Sequence, residues 1–468
     1  MITVTESSVY AFVKWDTYEE RKFLVNILTF IKEAKSYARL PIKQVTRLYV
    51  CHNGPIIVFK GLTYYIIGKA YEAGYQVVHY KYDGNFGEPT NREEAIEELR
   101  DYQIEAFDAA VKHSGGILWM ATNAGKTRVA GAIIKAYPEK RFLYLVHRLE
   151  LLKQAKEMLV EDYDLDVREI STEEQDTEAK VVVAMAQTVY SRIDLLQDYL
   201  MSIDGIIIDE VQHYGGKMAK VIMSKCTSAQ FRLGLTGTVP DDEAQKLSLV
   251  QFVGDVVYRM TNKALIEESY SSDIKITMYR GNWANTGIGQ QVRQMVMLES
   301  VGMSTNLWHE VHRIAVVQNA ERNNAITQVI GRLLEQNESG ILVFVDYIEH
   351  GQTLSELTGL PLVWSGSEDR TELFENFKFG RLRGLITSPI LDEGIDVSRI
   401  RHIVFASGKK SKTKLLQRIG RGLRREEGKD CMHLIDFYDD ETPMLLKHTE
   451  KRIEVYKSEG FDVSIENI

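Results

Sequence analysis

Three short stretches of this 468-residue chain carry residue types that could do chemistry on phosphates. In the first, Thr122-Asn123-Ala124-Gly125-Lys126-Thr127 follows an apolar run and opens a helical pattern near Arg128. Small residues there let backbone N–H groups curl around phosphate oxygens at a helix N-terminus. Lys126 can then reach the β and γ phosphates of a nucleotide, and the Thr127 hydroxyl can ligate Mg²⁺. Met120 stands where the usual G-x-x-x-x-G-K-[ST] pattern has its first glycine, and Asn123 replaces a second one. Asn tolerates a left-handed backbone, so the turn is still expected to form. In the second stretch, Ile206-Ile207-Ile208-Asp209-Glu210 puts two carboxylates at the end of a buried strand, a costly place for charge without a task. After a phosphate loop, Asp209 suits holding Mg²⁺ and Glu210 suits orienting an attacking water. In the third, Arg421 and Arg424 lie three apart within the helical pattern Gln417 to Arg424 and so share one face. Their planar guanidiniums could reach the γ-phosphate of a nucleotide held by another domain. Taken singly, these stretches read equally as a chance helix start, an acidic strand end and a solvated helix face; their conjunction favours phosphate chemistry.

Positioning such residues takes parallel strands alternating with helices, and from about residue 115 the chain has that pattern. One block runs through GGILWMA, RFLYLVH, KVVVAMA, DGIIIDE and FRLGLTG, and a second through GILVFVD, PLVWSG, LRGLITS, HIVFASG and MHLIDFY. Between them, Pro240 to Leu334 is less periodic and includes a loop-like stretch from Gly281 to Gln294; the boundary is expected near Asn319. Residues 1–88 read as a small α+β unit. Its expected elements are a strand near Val9 to Trp15, a helix over Tyr18 to Ile31, a hairpin turning at His52-Asn53-Gly54, a helix near Leu62 to Ala73 and a strand at Gln76 to Tyr82. Its many tyrosines suit either base stacking or a tyrosine-rich core.

Composition narrows the field. At 44% hydrophobic and 26% charged residues, with 33 Gly and 8 Pro, the chain is neither collagen-like nor broadly disordered. No apolar run approaches membrane-spanning length and Met1 to Tyr10 lacks signal-peptide order, so an intracellular protein without membrane contact is expected. Cys51, Cys226 and Cys431 form no C-x-x-C pair and are expected to be buried thiols. The net charge of −9 is unevenly spread: residues 1–88 hold 11 Lys or Arg against 8 Asp or Glu (+3), leaving 46 against 58 (−12). Lys409 to Arg425 carries eight basic residues and no acidic one, suited to phosphates, whereas Glu161 to Glu178 carries nine acidic residues and one Arg, suited to solvent.

The order of motifs from Leu99 to Arg425 resembles the superfamily-two helicases. Leu99-Arg100-Asp101-Tyr102-Gln103 is similar to their adenine-recognition motif, with Gln103 as base reader, and Ala121 to Thr127 resembles motif I. Val146-His147-Arg148 resembles motif Ia, Met185-Ala186-Gln187-Thr188 motif Ib, Asp209-Glu210-Val211-Gln212-His213 motif II and Leu235-Thr236-Gly237-Thr238 motif III. Val343-Phe344-Val345 is similar to motif IV, Thr387 with Glu393-Gly394-Ile395-Asp396-Val397 to motif V and Gln417 to Arg424 to motif VI. Gln212 departs from the family's His or Asp, with His213 one residue late, and predicts a weakened contact between motifs II and III. Phe252-Val253-Gly254, Tyr258, Leu265-Ile266-Glu267 and Arg322-Asn323-Asn324 resemble the branch holding XPB, the restriction-type translocases and the UvsW-type phage branch-migration helicases, the last group most of all.

That resemblance implies two RecA-like parallel-sheet motor domains, 89–318 and 319–468, behind an N-terminal α+β accessory domain, 1–88, with ATP and Mg²⁺ in the cleft between the motors. It gives catalytic roles to Lys126, Asp209, Glu210, Gln417, Arg421 and Arg424. Nucleotide contacts fall to Arg100, Gln103, Thr122, Asn123, Ala124, Gly125, Lys126, Thr127, Gly394 and Asp396, and Mg²⁺ contacts to Thr127 and Asp209. Nucleic-acid contacts fall to His147, Arg148, Gln187, Thr188 and Thr387. The implied activity is an ATP-dependent helicase or translocase acting on branched DNA as a monomer, in the cytoplasm, the host's if the gene is a phage's. An RNA helicase and a nucleotide-gated scaffold with little turnover are the alternatives.

Overall fold

The computed structural model describes the chain except residues 35–41, 52–53, 83, 85, 284–286, 288–289, 293, 295–306, 389–398, 424–428 and 430. At 33–34, 42–44, 307–308, 412–414, 417 and 421 it describes the backbone alone. Two compact units emerge, Met1–Met260 and Thr261–Ile468.

The first unit begins with β1 (Ile2–Glu6), β2 (Tyr10–Trp15), β3 (Thr29–Ala34), β4 (Ile42–Arg47), β5 (Ile56–Phe59) and β6 (Val77–Tyr80). Four of them form a sheet in the order β5-β2-β1-β6, and β3 pairs with β4 as a separate two-stranded ribbon. Alternation in Ile2-Thr3-Val4-Thr5 buries Ile2 and Val4 against the helices Tyr18–Ile27 and Thr63–Glu72 and gives β1 a central place the sequence reading missed. The helix expected through Ile31 stops at Ile27, because Thr29-Phe30-Ile31 is β-favouring and pairs with β4 instead. Its start is fixed by a capping box, Thr17 with Glu20. The turn expected at His52-Asn53-Gly54 falls largely outside the described residues, although Val50 and Ile57 exchange backbone hydrogen bonds (2.8 and 2.9 Å) on either side.

The remainder of this unit holds β7 (Gly115–Met120), β8 (Phe142–Val146), β9 (Val167–Ile170), β10 (Val181–Met185), β11 (Gly205–Ile208), β12 (Phe231–Thr236) and β13 (Val256–Met260). All pair in parallel, in the order β13-β7-β12-β11-β8-β10-β9. Strands β8, β10 and β11 are apolar throughout because helices cover both faces of such a sheet. The acidic stretch borders and includes the edge strand β9, where charge discourages pairing with other chains.

The N-terminal sheet and the parallel sheet share one apolar core. Phe59 stacks edge-on against Phe252 at 5.0 Å, and Tyr65 Oη donates to Glu243 at 3.4 Å. Gly61 approaches so closely that an added Cβ would lie 2.0 Å from the Val250 carbonyl oxygen. Gly61→Ala is therefore expected to cost about 1–3 kcal/mol through forced separation of the two layers. Thermal melting of the full chain checks it, and an unchanged midpoint would contradict so tight a contact.

The second unit is built on β14 (Asp273–Arg280), β15 (Ile341–Phe344), β16 (Leu362–Val363), β17 (Gly384–Thr387), β18 (His402–Phe405), β19 (Cys431–Phe437) and β20 (Val463–Asn467). It is parallel throughout, in the order β16-β17-β15-β18-β19-β14-β20. The division near Asn319 is thus corrected to Met260/Thr261: β14 lies well before Asn319 yet is flanked by β19 and β20. Of the loop expected from Gly281 to Gln294, part lies outside the described residues, and Trp283 within it is buried in the core beside Ile330 and Val343. Cys226 is buried, whereas Cys51 and Cys431 are only half-buried; all three are free thiols. Among the described residues no helix is long and apolar enough to cross a membrane.

Candidate functional site

Five contiguous strands of the first sheet, β7, β12, β11, β8 and β10, end side by side, and each hands a motif to the loop beyond its carboxyl end. Parallel α/β sheets bind ligands at this edge.

After β7 the chain turns through Ala121-Thr122-Asn123-Ala124-Gly125 into the helix Lys126–Ala136. Asn123 adopts the left-handed conformation (φ 70°), the role expected of it in place of glycine. Gly125 is left-handed too (φ 75°), and a Cβ there would lie 2.2 Å from Gln103 Nε2, so the loop needs glycine on both counts. Gln103 is buried, with Nε2 donating to the Ala124 carbonyl at 3.0 Å and Oε1 accepting from the Arg100 N–H at 3.0 Å. It therefore braces the phosphate loop, which the family resemblance did not imply, and its amide is already engaged. Arg100 is exposed and lies 3.4 Å from the Tyr102 hydroxyl. Lys126 is buried and donates to the carbonyls of Met120 (3.3 Å) and Ala121 (3.4 Å). Thr122 and Thr127 are half-buried beside it.

Asp209 follows β11 and is buried; its Oδ1 accepts from the Glu210 N–H at 2.9 Å. Burial, then the neighbouring Glu210 charge, push the Asp209 carboxyl up to about 7 against the pull of Lys126. Tyr144, buried on β8, neighbours Asp209 and Thr127, and burial drives its phenol well above its ordinary range. Glu210 has a left-handed backbone (φ 47°, ψ 55°), a costly conformation for a residue with a side chain. Gln212 holds its carboxylate, donating from Nε2 to Glu210 Oε2 at 2.5 Å. On its other side Gln212 Oε1 lies 2.6 Å from the Thr236 hydroxyl, which also lies 2.7 Å from the Thr238 carbonyl and shares one proton between the two acceptors. The contact between motifs II and III, expected to be weakened by Gln212, is made by that residue: a neutral amide offers one donor and one acceptor, enough to bridge carboxylate and hydroxyl.

His213 stacks on His147 with ring centroids 4.3 Å apart, and Gln187 Nε2 donates to the His147 carbonyl at 3.1 Å. Motifs Ia, Ib and II are thereby tied together. Arg148 and Gln187 are exposed. Thr188 is 6% exposed, on the helix Ala186–Ser191.

In the second unit Thr387 is fully buried, its hydroxyl donating to the Ser388 carbonyl at 2.9 Å. The Thr387 hydroxyl thus folds inward at its strand end, and nothing in the sequence distinguishes it from an outward one. Gln417 and Arg421 lie on the helix Lys412–Gly422, with side chains outside the described residues. Arg424, Gly394 and Asp396 lie outside them altogether. The basic run is not all surface: Arg418 is buried over the Phe344 ring (4.7 Å), with Nη2 3.3 Å from Asp346 Oδ1, and Lys409 lies 3.5 Å from the other oxygen of Asp346. The sequence reading missed two buried ion pairs, Arg322 with Asp439 (2.7 Å) and Arg452 with Asp436 (2.8 Å). The signal for the second was the charge of Asp436 interrupting the apolar run Leu434-Ile435-Asp436-Phe437.

Residues 96–241 match the family described as Type III restriction enzyme, res subunit, and residues 321–426 match the helicase conserved C-terminal domain. A DNA 3'-5' translocase, XPB2 of Sulfurisphaera tokodaii, is 27% identical over 70% of this chain and 79% of its own. The ATP-dependent DNA helicase uvsW of Enterobacteria phage T4 is 24% identical over 78% of this chain and 76% of its own. Among solved structures, a fragment of an HsdR subunit of a type I restriction enzyme from Vibrio vulnificus shares the fold, with a TM-score of 0.58 at 18% identity over 82% of this chain and 72% of that one.

Proposed function

Because the chain belongs to the superfamily-two helicases, a family of ATP-dependent motors, we propose that it uses ATP hydrolysis to move along DNA and remodel branched substrates such as forks, four-way junctions and R-loops. The observation that carries the reading is the bridge from Glu210 through Gln212 to Thr236. It joins the group suited to water activation to the loop after β12, so the state of the nucleotide site can be felt by the rest of the motor. DNA as substrate is supported by the relatives acting on DNA.

The roles proposed follow from chemistry. Lys126 leaves its loop carbonyls to hold the β and γ phosphates, and Thr127 with Asp209 holds Mg²⁺. The fit is favourable: Asp209 is a buried carboxyl that burial and the neighbouring Glu210 charge push toward its neutral form, and a divalent cation beside it would hold it ionised. Mg²⁺ commonly takes one or two carboxylates and completes its shell with phosphate and water oxygens. When bound it neutralises charge developing on the transferred phosphoryl. Glu210 orients the attacking water, while Arg421 and Arg424 reach the γ-phosphate from the second unit. Arg148 and Gln187 remain exposed for backbone contact. The accessory region adds a grip, supported by Tyr18, Tyr64, Tyr71 and Tyr80, all exposed, whereas Tyr49, Tyr65 and Tyr75 pack against the shared core.

Steady-state ATPase rates with single-stranded, duplex, forked and four-way DNA, and with RNA, test the proposal. The greatest stimulation is expected from forked or four-way DNA; greater stimulation by RNA would replace it with the RNA-helicase reading. Gln212→Ala removes a bond to a charged group worth about 1.5–3 kcal/mol and should lower kcat about tenfold or more with little change in KM for ATP. Strand displacement per ATP should fall further than kcat, which single-turnover unwinding beside ATPase assays would show.

A further inference from the structure

Trp119 precedes Met120 at the end of β7, the strand that runs into the phosphate loop. Its neighbours in register are Thr236 on β12 and Arg259 on β13, so the three side chains stand in one row across the sheet. The ring is half-buried and packs against the shared core, which Phe in its place would do as well. What Phe lacks is the indole N–H. Trp119 Nε1 donates to the Gly237 carbonyl at 3.2 Å, crossing from β7 to the loop after β12. Arg259, exposed, lies over the ring at 4.1 Å from its centroid and favours that orientation of the indole.

Gly237 in turn lies against the phosphate loop. A Cβ at 237 would meet Thr122 Oγ1 at 3.4 Å, and Lys126 Nζ and the Met120 carbonyl oxygen at 3.7 Å. On either side of it, the Thr236 hydroxyl accepts from the Thr238 N–H at 3.0 Å and reaches Gln212. The contacts therefore close into a ring. They run from Glu210 to Gln212, from Gln212 to Thr236, from Gly237 to Trp119, and from Trp119 through Met120, whose carbonyl holds Lys126, back to the phosphate site.

We propose that Trp119 is a positioning residue for ATP hydrolysis: its indole N–H holds the loop after β12 against Thr122 and Lys126, so that the loop is gripped from the phosphate side by Trp119 and from the Glu210 side by Gln212. When Lys126 leaves the Met120 carbonyl for the phosphates, the strand end that carries Trp119 is the first backbone to feel it, and the indole passes the change to Gly237. The inference rests on the motor reading above and adds a second point of attachment to the Gln212 bridge.

The test uses the full chain at saturating DNA and reads phosphate release beside binding of a fluorescent ATP analogue, with kcat normalised to the fraction of chain that binds the analogue. Trp119→Phe keeps a ring beneath Arg259 and removes the donor. Loss of one neutral hydrogen bond predicts a fall in kcat of about two- to tenfold, with KM for ATP and analogue affinity within about twofold of wild type. Trp119→Met, a flexible apolar filler, should show the same split, which ties the effect to the donor and not to the shape of the ring. Combined with Gln212→Ala, Trp119→Phe should add little to the roughly tenfold loss expected of Gln212→Ala alone, because both release the same loop; a residue that only packs the core would multiply the two losses. A kcat equal to wild type in both Trp119 variants, losses that multiply in the double variant, or a KM for ATP that rises as kcat falls would overturn the proposal. A wild-type chain whose ATPase no DNA stimulates is a different outcome, one that removes the motor reading itself.

Discussion

Replacing Glu210 by Gln is expected to abolish ATP turnover while leaving ATP bound, a loss of roughly two to four orders of magnitude in kcat from the removal of a base. The substitution keeps the side chain's shape and its place beside Gln212, so the bridge to Thr236 has no steric reason to fail. Lys126→Ala should also stop turnover, by another route. It removes the charge-assisted contact to the β and γ phosphates, so ATP affinity falls along with hydrolysis. Binding of a fluorescent ATP analogue beside phosphate release separates the two. Normal turnover in Glu210→Gln would remove that carboxylate from the chemistry.

Arg421→Ala and Arg424→Ala are expected to bind ATP nearly as the wild type does and to lose about 10³–10⁵ in kcat, the effect of a finger that stabilises charge in the transition state more than in the bound state. The helix bearing Arg421 belongs to the second unit, so a chain ending at Met260 should behave likewise. Met260 is the appropriate end because a chain cut near Gln318 would carry β14 without the strands on either side of it. Vigorous ATPase activity from residues 1–260 would show that the second unit contributes nothing to hydrolysis.

Strands buried on both faces were legible because their sequences are apolar without interruption; the five runs singled out in each block are all strands. Those not foreseen are short or half-polar: Val167-Arg168-Glu169-Ile170 and Val256-Val257-Tyr258-Arg259-Met260 in the first sheet, and Val463–Asn467 in the second. β14 escaped for another reason: Asp273-Ile274-Lys275-Ile276 alternates as if one face met water, and its neighbours are remote in sequence. The phosphate loop and the Asp209-Glu210 pair stood out because their chemistry lies in adjacent residues. Gln103 as a brace, Gln212 as a bridge and the inward turn of Thr387 depend on which backbone passes nearby, and spacing along the chain does not encode that.

The place of β14 also bears on how the chain is made. Its partners begin at Cys431 and Val463, about 150 and 180 residues after it leaves the ribosome. At about 5–20 residues per second it waits roughly 8–40 s with both edges open and Ile274, Ile276 and Met278 uncovered. The first unit, closed at Met260, can fold meanwhile, so the nascent second unit is the segment for which a holding chaperone matters most. Translational pausing beyond residue 280 would prolong that exposure, and pausing before 273 would not.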